Sequence, residues 1–138
     1  MRDALTNFGN VAITSSATGT ASSVGSENIV NMTAPGKTEV TPQMCRIVFY
    51  PKTKATGTFT FELKGADAVT GYAEKTPYGG DATALSSPAV VQKFELKGIN
   101  VGEVQKFPFP LEVKNKYYQI FGYGPSVANV EVWFEFGA

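Results

Sequence analysis

Glu131 and Glu135 stand four residues apart in the best-alternating run of the chain, and paired carboxylates are the usual equipment of acid–base hydrolysis. On an extended strand that spacing is about 13 Å at ~3.3 Å per residue, beyond the roughly 5 to 9.5 Å that glycosidase carboxylates need. Asp67, Glu74 and Asp81 carry oxygens suited to calcium, but they are scattered over a loop without regular ligand spacing. Satisfying turns is their better assignment. The chain has no histidine and one cysteine, Cys45, which removes Ser-His-Asp triads, Cys-His pairs and thiolate zinc clusters. Cys45 lies in the apolar run of residues 44–50 and reads as a small hydrophobe. Gly122-Tyr123-Gly124 and Gly71-Tyr72 are not followed by a helical pattern, so neither reads as a phosphate loop. The expectation is a non-enzyme with no catalytic residue, cofactor or metal site.

What remains is chemistry of contact. Trp133 sits among Asn129, Glu131 and Glu135, on the polar side of its strand. Its ring offers about 150–250 Å² of buriable area, worth up to about 4–6 kcal/mol when fully covered. Either a partner covers it, or a loop of the same chain does, such as residues 75–84. Tyr117, Tyr118 and Tyr123 raise the same question, because one face of their strand must carry aromatics outward. The small-residue stretch 12–26 and the loop 72–85, with Tyr72 and Tyr78, complete the candidate contact elements.

The elements that must position these groups are short strands. Thr58-Phe59-Thr60-Phe61-Glu62-Leu63-Lys64 alternates strictly, placing Phe59, Phe61 and Leu63 inward and Glu62 and Lys64 outward. In residues 128–136, Ala128, Val130, Val132, Phe134 and Phe136 share one face. Residues 44–50 are apolar on both faces except Arg46, as in a central or covered strand. Residues 90–96 put Val90, Phe94 and Leu96 on one side, with Gln92 as a misfit. Pro108 and Pro110 place the extended run 104–111 at a sheet edge. A further strand covers residues 117–123. Short strands with turn signals between them and no convincing helix predict an all-β, antiparallel sandwich or barrel.

Residues 12–26 are almost entirely Ala, Ser, Thr, Gly and Val, which bury little area. They read as an extended arm, as a strand ordered against something else, or as a disordered linker. Val11-Ala12-Ile13 and the run 28–32 could pair with each other. The expected organisation is one domain, with an N-terminal arm and first strands over 1–32 and a β-sandwich body over 33–138.

Twelve basic residues cancel twelve acidic ones among 138, and charged residues make up 17% against about 25% in ordinary soluble domains. No basic face exists to neutralise phosphates, so nucleic-acid binding is not expected. No segment reaches the roughly 20 apolar residues of a membrane span, and none has signal-peptide character, so synthesis in the cytoplasm without a membrane partner is expected.

The order of segments carries a resemblance. A small-residue arm leads into Glu27-Asn28-Ile29-Val30, then the strand 46–50, the Thr-rich strand 56–64, and a loop into Leu85-Ser86-Ser87-Pro88-Ala89-Val90. Val104-Gln105-Lys106-Phe107-Pro108-Phe109-Pro110 then precedes Lys114-Asn115-Lys116-Tyr117-Tyr118-Gln119-Ile120, and a valine-rich strand reaches the C-terminus. This pattern resembles the small jelly-roll decoration, or cement, proteins of tailed bacteriophage heads. The resemblance implies a jelly-roll β-sandwich on the exterior of a virion capsid, made in the host cytoplasm. It implies no catalytic residues, and as partners copies of the chain itself in a homotrimer and the major capsid protein beneath. The alternative from composition is a glycan-binding sandwich module of a phage fibre or an accessory domain, with exposed aromatics that stack on sugars.

Overall fold

The computed structural model describes residues 7–31, 44–70, 84–110 and 115–136. Tyr72, Tyr78 and most of the loop 72–85 lie outside the described residues, as does most of the 75–84 segment suggested as a cover for Trp133. The strands are β1 (Asn7–Ile13), β2 (Val24–Gly25), β3 (Val30–Asn31), β4 (Met44–Pro51), β5 (Ala55–Ala66), β6 (Val69–Thr70), β7 (Ala84–Leu85), β8 (Ala89–Ile99), β9 (Gln105–Pro110), β10 (Tyr117–Tyr123) and β11 (Ala128–Phe136). The only helical element among the described residues is a 3-10 turn at Thr20–Ser22.

The strands form two antiparallel sheets packed face to face, so the fold is an all-β sandwich. The first sheet runs β1-β11-β4-β9; the second runs β2-β10-β5-β8, with β3 also pairing to β10. A β6–β7 ladder stands apart. Successive strands change sheet from β1 to β2, β3 to β4, β4 to β5, β8 to β9, β9 to β10 and β10 to β11.

Alternation decides which residues form the core. Ile47 and Phe49 of β4 lie opposite Phe134 and Val132 of β11, while Phe59 and Phe61 of β5 lie opposite Leu96 and Phe94 of β8. These inward residues of both sheets make one buried cluster. The Phe49 ring meets Phe61 at 4.9 Å and Phe94 at 5.5 Å between centroids, and Phe8 meets Phe134 edge-on at 5.0 Å. Such tilted and edge-on contacts suit the ring quadrupole; those of Phe49 join the two sheets, and that of Phe8 lies within the first. Gly124 passes so close beneath the Phe59 ring that a Cβ would overlap it, and Gly122 would place a Cβ 2.8 Å from Phe61. As expected, β9 with its prolines is an edge strand, and β4 is internal.

Three expectations change. Residues 7–31 are not an arm in front of a body beginning at 33, because β1 belongs to the first sheet and β2 and β3 to the second. Phe8, Val11, Ile13 and Val30 anchor this stretch in the core, and backbone bonds fix the small residues between them. Ser26 N–H donates to the Ile120 carbonyl at 2.8 Å, Gly124 N–H to the Ala17 carbonyl at 2.9 Å, and Ala17 is fully buried. Second, β1 does not pair with β3: β1 takes β11 and β3 takes β10. Those stretches are linked instead by Glu27 N–H to the Asn10 carbonyl (3.1 Å), by Asn28 N–H to the Phe8 carbonyl (2.9 Å), by Glu27 Oε1, which accepts from Asn10 N–H and Nδ2, and by Asn28 Nδ2, which donates to the Asn7 carbonyl. Third, Val90 does not share the inward face with Phe94 and Leu96. The register slips between Leu63 and Lys64, Gln92 falls opposite Leu63, and Val90 falls opposite Lys64 and stays exposed.

Candidate contact surface

The outer face of the first sheet is built from alternate residues of three strands. β11 supplies Glu131, Trp133 and Glu135; β4 supplies Arg46, Val48 and Tyr50; β9 supplies Lys106. Trp133 stands directly opposite Val48, and Val48 opposite Lys106, so indole, valine and lysine stem form one row across the strands. The Tyr50 ring tilts toward Trp133 at 6.2 Å between centroids. Lys52 and Val104 close the margins of an open depression of about 630 Å³ over these residues.

Charge around this patch is neutralised locally. Lys52 Nζ lies 3.6 Å from Glu131 Oε1, and Asn7 Nδ2 donates to Glu131 Oε2 at 3.1 Å. Glu135 Oε1 receives both Arg46 Nη2 and Lys106 Nζ at 3.3 Å. Burial works against the charged form of Glu135, but the hydrogen bond and charge of Lys106 outweigh it and hold the carboxyl below its usual range. A carboxylate kept ionised by two cations is a poor proton donor, so the face offers no general acid at Glu135. Among the described residues no three His, Cys, Asp or Glu side chains converge as metal ligands. The arrangement is one of contact: an aromatic and aliphatic centre with a polar, charge-balanced rim.

Trp133 faces outward as its strand position requires, yet it is only 9% exposed. The energy available from covering its ring is therefore already gained within the chain, and a partner meets mainly Tyr50, at 36%, and the rim. The tyrosines of β10 go elsewhere. Tyr118 is 1% exposed in the core and packs edge-on to Phe134, so it is no contact residue; its hydroxyl accepts the Asn115 N–H at 3.3 Å. Tyr117 is half-buried on the outer side of the second sheet, against Ile29, Ala66 and Leu85. Tyr123 is half-buried on the same side and packs against the main core. Tyr117 and Tyr123 thus lie on the opposite face of the sandwich from Trp133, and the candidate aromatics do not form one patch.

The residue that pattern reasoning missed is Glu62. Strict alternation turns it outward on β5, as expected, but it is 1% exposed. Thr20 Oγ1 of the 3-10 turn donates to Glu62 Oε2 at 3.3 Å, Lys93 Nζ lies 3.5 Å from the same oxygen, and Oε1 has no hydrogen-bond partner. Beside it, Lys64 Nζ sits 4.5 Å above the Phe121 ring. No periodicity signals this cover, because it comes from a segment 42 positions earlier in the chain.

Comparison of the chain with protein-family models, with curated proteins and with solved structures found no match in any of the three.

Proposed function

We propose that this chain is a non-enzymatic structural protein of a phage particle, a decoration or cement protein that binds the assembled head from outside and stabilises it. The observation that carries this reading is the strand order. Eight strands divide between two sheets in the orders β1-β11-β4-β9 and β2-β10-β5-β8, which supports a jelly roll of the kind that the segment order resembles. A rigid sandwich with a charge-balanced face loses little conformational entropy on docking. Binding the assembled shell alone stabilises it by RT ln(1 + [L]/Kd) at every site, so small affinities add up over a lattice of major capsid protein. The test is to heat particles with and without the bound protein and to record DNA release. Release at a lower temperature from bare particles is the expected result; identical release curves overturn the proposal.

A second reading rests on the Tyr50–Trp133 depression, whose mixed polar and aromatic lining suits a sugar ring. In that case oligosaccharides shift the emission of Trp133, the chain's single tryptophan. A decoration protein leaves that emission unchanged on adding sugar.

A further inference from the structure

Among the described residues, the four edges of the two main sheets are not alike. β2 and β3 offer two residues each, β1 is interrupted by a register shift at Gly9, and β9 carries Pro108 and Pro110, which lack donors. β8 is different. It is 11 residues long, has no proline, and pairs only with β5 among the described residues. Its outer rim flanks a depression of about 580 Å³ lined by Thr60, Lys93, Phe94, Glu95, Phe107 and Tyr123. There the Phe94 and Phe107 rings lie 5.4 Å apart.

Lysine on an edge strand normally repels other strands. Here Lys93, Glu95 and Lys97 alternate in sign along the exposed side of β8. Lys93 is 60% exposed although it reaches Glu62, and Glu95 has no ion pair among the described residues. An alternating row of this kind is complementary to its own antiparallel copy. We propose that β8 pairs antiparallel with β8 of a second copy of this chain, with the two-fold axis at Phe94.

Only residues of the same face can oppose each other, so the axis must pass through a residue. An axis at Glu95 sets Glu95 against itself and Lys93 against Lys97, which is repulsive. An axis at Leu96 sets Glu95 against Lys97 but brings Gly98, at φ +74°, into the ladder opposite Phe94. An axis at Phe94 sets Lys93 opposite Glu95 of the second copy, twice, and uses the regular stretch 92–96. It also carries the row Glu62–Lys93 on to a second carboxylate. The contact is two-fold and isologous, and does not rest on the virion reading.

The test is the molar mass of the full chain by light scattering over a wide concentration series, for wild type and for Glu95→Lys. Position 95 is exposed and faces Thr60 across the ladder, so the variant keeps the fold, checked by an unchanged circular dichroism melt. The expected result is a concentration-dependent dimer, weakened about tenfold or more by Glu95→Lys because two attractive pairs become repulsive. Amide hydrogen exchange in residues 92–96 should slow with concentration in wild type and not in the variant. A wild-type monomer throughout, a dimer or trimer indifferent to Glu95→Lys, or exchange in residues 92–96 independent of concentration overturns the proposal.

Discussion

Glu135 on the first sheet and Glu62 on the second both occupy outward positions of a well-formed strand, and each faces a lysine across the ladder or near it. Glu135 keeps 13% of its side chain exposed and shares one oxygen between Arg46 and Lys106. Glu62 is almost wholly covered by residues that include Thr20, and has one lysine and one unpaired oxygen. The first is a solvated ion pair with a spare cation, and such pairs contribute little to stability. The second is a desolvated charge whose removal from water is only partly offset. Position on a strand sets the direction of a side chain; what crosses over it sets the energy.

The sharpest break of that contrast is a pair of alanine substitutions. Lys93→Ala strands Glu62 without its cation and should cost about 1–3 kcal/mol, less than for a fully buried pair because Lys93 is itself largely in water. Lys106→Ala leaves Arg46 on Glu135 and should cost less than about 1 kcal/mol. Urea unfolding of the two variants decides; equal losses would erase the distinction. Next in size, Thr20→Val removes the hydroxyl that donates to Glu62 and should cost about 1 kcal/mol. It should also speed amide exchange in residues 14–26 ahead of the rest, and uniform exchange would show that the turn is not held through this bond. Glu62→Met replaces the buried charge by an apolar side chain of similar length, leaving Lys93 to water. Stability within about 1 kcal/mol of wild type, or above it, is expected, whereas a loss of several kcal/mol would mean that the charge itself holds the second sheet.

The smallest effect is on pH. Because the Glu135 carboxyl titrates below its usual value, the folded chain binds fewer protons there than the unfolded chain does. Its contribution is present above the unfolded value of about 4.3 and is lost as pH falls through the lower, folded value. Glu135→Gln should therefore flatten the fall in stability on acidification below about pH 4, as read from urea midpoints. An unchanged slope would assign the acid sensitivity to other carboxylates.

Much of the fold was legible from residue type alone. Strict alternation in β5 and β11 named the inward phenylalanines and valines, and the prolines of β9 named an edge. The contact surface was less legible. Trp133 faced outward as its position demanded, but nothing local said that it would be covered. In β10 the aromatics Tyr117 and Tyr118 are adjacent, so alternation guaranteed one inside and one outside without naming which. The slip beside Val90 reverses side-chain parity within one strand, and only its pairing with β5 reveals it.

The amino-acid order alone determined that this chain forms antiparallel strands with an aromatic interior, because a period of two is a property of neighbouring residues. It also determined the absence of histidine and of paired thiols, which is a matter of composition. Tertiary structure alone decided that residues 7–31 are woven into both sheets, that Tyr118 is interior, and that Glu62 loses its water to Thr20 and its neighbours. Those outcomes depend on contacts between segments tens of residues apart, and no local preference encodes which distant segment arrives.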